Sequence, residues 1–251
     1  LFLLLKSYYI VYIYQMIKKE DISLSVIIPC FNEERTIQEV VKRIKNVGID
    51  NLEIIIVDDG STDGTNSKIE EITNQSKIIH LKHSKNQGKG AAIKTGVKKV
   101  TNDIVIIQDA DLEYNPNDYI NLIYPFFEAD ADVVYGSRFL GSLKYTRIHF
   151  FWHYLANKLL TFLCNIFTNL NMTDMETGYK VFKKDVIKSI NIEEKSFGVE
   201  PEVTIKLAKK KYRFFEVPIS YNGRSYEEGK KIGLKDAFVA VFCILKYKIK
   251  N

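Results

Sequence analysis

Cysteine is scarce in this chain: Cys30, Cys164 and Cys243 are the only three in 251 residues. An odd, scattered set excludes a disulfide framework and points to reduced thiols in a cytosolic compartment. Nothing beside Cys30 would activate it as a nucleophile. Histidine numbers four. His149 and His153 stand four apart, but no third ligand accompanies them, so zinc is not indicated. The single tryptophan is Trp152. No internal repeat, low-complexity tract or second-domain linker stands out. The net charge of +5 suits anionic partners. No zinc-finger spacing or RNP motif is present, so nucleic acid is not the expected one. The Walker spacing GxxxxGK[ST] is also missing, which excludes a triphosphatase loop. Nor is there a clean membrane span. Residues 148–170 are apolar and aromatic, but His149, His153, Asn157, Lys158 and Asn165 interrupt them, and the stretch barely reaches the required length.

What is present begins with short apolar runs. Ser25-Val26-Ile27-Ile28-Pro29, Leu52 to Val57 and Ile104-Val105-Ile106-Ile107 read as buried strands. Between the first two, Ile37, Val40, Val41 and Ile44 recur at helical spacing. Alternation of strand and helix predicts an α/β fold with parallel crossovers. Each of these strands runs into acidic residues: Glu33 and Glu34, Asp58 and Asp59, then Asp109-Ala110-Asp111. Ligands of open parallel sheets bind beyond the carboxyl ends of the strands. Glu33, Asp58, Asp59, Asp109 and Asp111 are therefore expected to converge on one crevice. Carboxylate oxygens combined with substrate phosphates suit Mg²⁺ or Mn²⁺. The Asp109–Asp111 pair thus suggests a metal–diphosphate site. Asn86-Gln87-Gly88-Lys89-Gly90 opens a helix expected to run to about Lys99, a start that suits a phosphate. Arg138 follows the strand Asp132 to Tyr135, where a guanidinium could clamp a diphosphate.

The segments SVIIPCFNEE, IIIVDDGSTDGT, NQGKGAAIKTG, IIQDADLEY and VVYGSRF resemble the nucleotide-sugar half of family 2 glycosyltransferases. The stretch from DMETGYKVFKKDV to VEPEVTIKLAKKKYRFFEVPISYNGRSYEEGKKIG is similar to the dolichyl-phosphate mannosyl- and glucosyltransferase branch, and to relatives that use undecaprenyl phosphate. The likeness spans roughly residues 24–235. It implies a GT-A fold, Rossmann-like, with a mostly parallel central sheet and helices on both faces. It also implies a site. Pro29, Phe31, Glu33, Val57 and Asp59 would hold base and ribose. Phe31 can stack on a base, though many relatives carry tyrosine there. Lys89, Asp109, Ala110, Asp111 and Arg138 would line the diphosphate and sugar. Asp111 is the expected direct metal ligand, with Asp109 and Glu113 as further oxygens; relatives often carry glutamine in place of Glu113. Arg224 and Lys230, six positions apart, would bind the donor phosphates or the acceptor phosphate. Gly223, Gly229 and Gly233 surround them, so the loop is expected to close over the donor as a lid.

The resemblance implies an inverting transfer of a hexose from a nucleotide diphosphate sugar, of UDP-glucose or GDP-mannose type, to a polyprenyl phosphate. Asp111, Arg138, Asp174, Arg224 and Lys230 would be the catalytic set. A phosphate acceptor is already anionic and needs no base. A glycan or lipid hydroxyl would need one, and Asp174, near Glu176, sits where hydroxyl-using relatives keep it. That is the alternative enzyme, and a non-catalytic nucleotide-sugar binder is the alternative of another class.

Residues 1–23 read as an N-terminal extension, foreign to the native start or membrane-proximal, with residues 1–15 dispensable. Residues 24–235 form the transferase domain. Within it, 148–170 are expected to lie at a membrane interface rather than to span. Residues 236–251 form an amphipathic basic segment, with Lys246, Lys248 and Lys250 near lipid phosphates. Together these predict a peripheral protein on the cytoplasmic face of an anionic membrane, with or without a membrane-protein partner.

Overall fold

A computed structural model describes residues 19–74, 78–141, 150–223 and 234–250. The first half alternates strand and helix: β1 (Ser23–Cys30), α1 (Ile37–Asn46), β2 (Asn51–Asp58), α2 (Thr65–Thr73), β3 (Ile78–Lys82), α3 (Lys89–Val97) and β4 (Ile104–Ile107). Then come α4 (Tyr119–Glu128), β5 (Val133–Ser137), α5 (Phe151–Thr168), β6 (Lys180–Lys183), α6 (Lys184–Lys188), α7 (Val199–Lys209), β7 (Phe214–Pro218) and α8 (Leu234–Ile249). The strands make one sheet in the order β3-β2-β1-β4-β6-β5-β7. All pairings are parallel except those of β6, which runs antiparallel to both β4 and β5.

Successive strand residues point to opposite faces, and both faces of a parallel sheet must be covered. Val26, Ile28, Ile54, Ile56, Ile104 and Ile106 pack on α1 and α4. Their neighbours Ile27, Ile55, Val57, Val105 and Ile107 pack on α3, α5, α7 and α8. This is why the strands read as unbroken apolar runs rather than alternating ones. In α1 the spacing of Ile37, Val40, Val41 and Ile44 places all four on the buried face.

Register positions the site. Pro29 pairs with Val57 and Cys30 with Asp58, while Ile27 pairs with Ile107. Three strands therefore end nearly level, and the residues just beyond them meet.

The glycines of the 86–90 turn have a packing role. A Cβ on Gly88, where φ is +101°, would lie 2.2 Å from the Lys195 carbonyl oxygen, and one on Gly90 2.2 Å from that of Glu194. Only glycine permits this approach. The 193–195 loop that presses there is held by buried Glu202, whose carboxylate accepts from the Glu193 and Glu194 amides at 2.7 and 2.8 Å.

The three cysteines are all buried, and none is in a disulfide. Residues 151–168 form one helix, α5, that packs beside α8. Among the described residues no helix is long and apolar enough to cross a membrane. The lysines at the end of α8 differ from their expected role. Lys246 bonds Glu194 at 2.7 Å, Lys250 bonds Glu193, and Lys248 donates to the Phe167 carbonyl at 2.9 Å. They fasten α8 to its neighbours instead of standing free for lipid phosphates. Residues 1–18, His149 and the 224–233 stretch, with Arg224, Lys230 and the expected lid, lie outside the described residues.

Candidate functional site

A cavity of about 300 Å³ opens at the carboxyl ends of β1, β2 and β4. One end is lined by Pro29, Phe31, Glu33 and Asp59 from beyond β1 and β2. Asp109, Ala110, Asp111 and Glu113, after β4, line its middle, and Lys89 and Arg138 flank them. Most of the residues read from the sequence as a site are thus brought together. Two are not. Val57 is wholly buried and its side chain belongs to the core beneath. Asp58 is also wholly buried; its Oδ1 accepts from the Ser61 amide at 2.9 Å.

The Asp109–Asp111 loop is fastened from below. Thr36 Oγ1 lies 2.9 Å from both the Ala110 carbonyl oxygen and Glu33 Oε2. Asp111 Oδ1 accepts from the Glu113 amide at 3.1 Å, and Tyr221 donates to Glu113 Oε2 at 2.7 Å. A bridge between Tyr114 and Tyr221 ties this loop to the strand leaving the sheet edge.

Asp59 organises the turn before α3. Its Oδ1 lies 2.6 Å from His83 Nδ1 and accepts from the Gln87 amide at 3.0 Å, while Oδ2 accepts from the Gly88 amide at 2.7 Å. The Ala91 amide donates to Lys195 O at 3.2 Å. The Gln87, Gly88 and Ala91 amides of this turn are therefore engaged within the protein. Lys89 does face the cavity. Its Nζ is 2.9 Å from Asp109 Oδ1 and 3.1 Å from Glu200 Oε1. Burial alone would lower its pKa, but the two carboxylates outweigh burial and hold it well above the usual lysine range. It is a fixed cation.

Arg138 makes a two-pronged pair with Asp174: Nε to Oδ2 at 2.7 Å and Nη2 to Oδ1 at 2.8 Å. The Arg138 amide and Asn157 Nδ2 also donate to that carboxylate, each at 3.1 Å. Asp174 is wholly buried and does not line the cavity. Burial raises its pKa, but the Arg138 charge and hydrogen bonds reverse that and leave it lowered. Glu216 holds the backbone there, accepting from the Thr173 and Asp174 amides. Asp174 thus orients Arg138 and stands behind it rather than in the cavity lining. The guanidinium also sits 5.1 Å from the centre of the Tyr221 ring.

The cavity has a wall that motif reading passed over: Tyr114, Gly178, Ser196, Phe197 and Glu200, beside Glu176. The available signal was the pair of glutamates in Val199-Glu200-Pro201-Glu202, which otherwise looks like an ordinary acidic helix start.

Among the described residues no three potential ligands cluster tightly enough to cage an ion by themselves. Hard carboxylate oxygens of Asp109 and Asp111 do face one cavity. That set fits a small divalent ion held by one or two carboxylates together with substrate phosphates.

The seven-stranded sheet with one antiparallel strand, its cavity beyond the central strand ends, has the GT-A fold. The model of glycosyl transferase family 2 matches residues 25–190, and the chain belongs to that family. It is 29% identical over 247 residues to the UDP-N-acetylglucosamine–dolichyl-phosphate N-acetylglucosaminyltransferase of Methanococcus voltae, covering 91% of this chain and 97% of that one. It is 27% identical over 213 residues to the dolichol-phosphate mannosyltransferase of Pyrococcus furiosus, covering 84% of this chain and 59% of that one. Among solved structures, the glucosyl-3-phosphoglycerate synthase of Mycobacterium tuberculosis, with Mn²⁺, UDP and phosphoglyceric acid, is similar with a TM-score of 0.69. Its identity is 18%, over 91% of this chain and 79% of that one. The chain is an enzyme of the glycosyltransferase class, and the non-catalytic reading falls away.

Proposed function

We propose that this enzyme transfers one hexosyl group from a UDP- or GDP-linked sugar to a polyprenyl phosphate at a cytoplasmic membrane face. A phosphate oxygen of the lipid forms the new bond to the anomeric carbon. The bond from that carbon to the nucleotide's terminal phosphate breaks with inversion, and the nucleoside diphosphate leaves. The commitment of Asp174 to Arg138 carries this reading. The carboxylate that would serve a hydroxyl acceptor is buried against a guanidinium, and a phosphate acceptor needs no such base. The dolichyl-phosphate relatives agree in acceptor class.

Phe31, Glu33 and Asp59 take the nucleoside, and Lys89 and Arg138 hold charge beside the diphosphate. Asp111, with Asp109 or Glu113, would hold Mg²⁺ or Mn²⁺, which supplies charge neutralisation for the departing diphosphate without proton transfer. Solved neighbours contain Mn²⁺ or Mg²⁺ with UDP. Arg224 and Lys230 are assigned to the donor or acceptor phosphate on their motif alone. The test is release of UDP or GDP across a panel of UDP- and GDP-sugars with Mg²⁺ or Mn²⁺. Release is expected to require a short polyprenyl phosphate. Slow release indifferent to the lipid would overturn the acceptor assignment.

The site for a lipid substrate should have a lipid-facing surface beside it. Phe151, Trp152, Leu155, Leu159, Phe162 and Ile166 of α5 are all exposed, as are Phe238, Phe242, Leu245 and Ile249 of adjacent α8. Soluble proteins rarely leave so much contiguous apolar surface bare. Fully burying a phenylalanine is worth about 2 kcal/mol. The double variant Phe162→Glu/Phe242→Glu should therefore weaken cosedimentation with anionic vesicles at least ~tenfold and leave the melting temperature unchanged. Undiminished vesicle binding would remove this face from the membrane assignment.

A further inference from the structure

Asp58 is wholly buried and does not line the cavity, so the reaction above leaves it unused. Its Oδ1 accepts from the Ser61 amide at 2.9 Å. The Ser61 hydroxyl oxygen in turn accepts from the Asn32 amide at 3.0 Å. Asn32 answers with its side chain, whose Oδ1 accepts from the Thr62 amide at 2.9 Å. The loop leaving β1 and the loop leaving β2 are thereby clasped in both directions. Two neighbouring bonds extend the clasp. The Glu33 amide donates to Thr65 Oγ1, and the Gly64 amide to Glu34 Oε2, each at 2.8 Å.

Asn32 also holds an uncommon backbone. Its φ is +54°, in the left-handed region that most L-residues avoid and asparagine tolerates. Its two neighbours, Phe31 and Glu33, both line the nucleoside end of the cavity, and Asn32 does not. The conformation of Asn32 therefore sets the course of the chain between them. Its side chain fixes that course against the β2 loop. A surface loop held by so few bonds relaxes when one is removed, and binding must then restore its shape.

We infer that Asn32 is a positioning residue for the nucleoside. From outside the cavity lining it pre-sets Phe31 and Glu33, locking the two loops together through Thr62 and, by way of Ser61, through buried Asp58. This rests on the donor reading above. Two properties of Asn32 contribute separately: tolerance of a left-handed backbone, and a carbonyl that accepts from Thr62. Aspartate keeps both, glycine keeps the first, and alanine keeps neither. The effect belongs to affinity rather than to bond breaking. The groups set beside the diphosphate, Asp109, Asp111 and Arg138, stand on the loops after β4 and β5.

The test is calorimetric binding of UDP and GDP, with Mn²⁺, to the wild type, Asn32→Asp, Asn32→Gly and Asn32→Ala, alongside turnover and thermal melting. Salt is set high enough to screen the charge that aspartate adds. For the nucleotide that the wild type binds, affinity should be kept by Asn32→Asp, fall in Asn32→Gly and fall furthest in Asn32→Ala, at least ~tenfold. The KM for the donor should rise in step, while kcat at saturating donor stays within about twofold of wild type. Ser61→Ala leaves Asn32 in place and removes only the hydroxyl, and should weaken affinity about threefold. Inorganic pyrophosphate with Mg²⁺ has neither base nor ribose, so it should inhibit the wild type and Asn32→Ala equally. A residue that only held the fold would lower the melting temperature and leave nucleotide affinity unchanged. That result, a parallel loss for pyrophosphate, or a fall in kcat without a change in KM would overturn the positioning role and leave the donor reading intact. A wild type that binds neither nucleotide overturns both.

Discussion

Asp111→Asn is expected to lower turnover roughly a thousandfold, the several kcal/mol that charge neutralisation of a leaving diphosphate supplies. The asparagine oxygen can still accept from the Glu113 amide, as Asp111 Oδ1 does now at 3.1 Å. The loop should keep its shape and the melting temperature should stay near that of the wild type. A second readout separates loss of the cation from loss of the fold. Mn²⁺ should tighten UDP or GDP binding to the wild type and have little effect on the variant. Retained turnover, or retained enhancement by Mn²⁺, would move the metal assignment to other carboxylates of the cavity.

The second large effect is on stability. Asp174→Ala leaves Arg138, whose side chain is 14% exposed, without its buried partner. Removing one member of a buried pair costs about 3–5 kcal/mol. For a chain of this size that corresponds to a fall in melting temperature of roughly 10 °C. Asp174→Asn keeps the volume but loses the charge, and should fall between wild type and alanine. The sign of the pH dependence follows. The folded-state pKa of Asp174 is lowered. Its contribution is therefore present above the unfolded carboxylate value, about 3.9, and disappears as pH falls from there through the folded value. Wild type should lose stability relative to Asp174→Asn across that acid window. If Asp174 were instead a catalytic base, Asp174→Asn would melt like the wild type and lose turnover alone.

The sheet was legible because its strands are buried on both faces. Ile104 to Ile107 can be read in one pass, and the acidic residues that follow mark the strand end. The helical spacing of Ile37, Val40, Val41 and Ile44 was equally direct. What could not be read was tertiary. Nothing local in Gly136-Ser137-Arg138 shows that the guanidinium will be taken by Asp174, since that pair forms only when the segment before β6 folds beside β5. Gly88 and Gly90 have the composition of a phosphate turn, yet their missing side chains make room for the Glu194 and Lys195 carbonyls. Lys246 and Lys250 looked like a basic tail until Glu193 and Glu194 came to meet them. Glu200 was hidden for the same reason. An acidic residue in the first turn of a helix is ordinary, and only the fold turns it toward a cleft.

The contact between the 86–90 turn and the 193–195 loop also constrains how this enzyme can change. The wall bearing Glu200 lies beyond residue 190, where the match to the family model ends. The chemistry-bearing carboxylates lie well inside it. Two segments far apart in the sequence thus meet at one cleft. They are not freely exchangeable, because the junction is closed by backbone against backbone, with no side chain to trim. A transplanted 193–200 segment would seat only on a host that already carries glycine at both facing positions. Divergence of this wall would then have to proceed by altering the side chains on that segment while keeping its path.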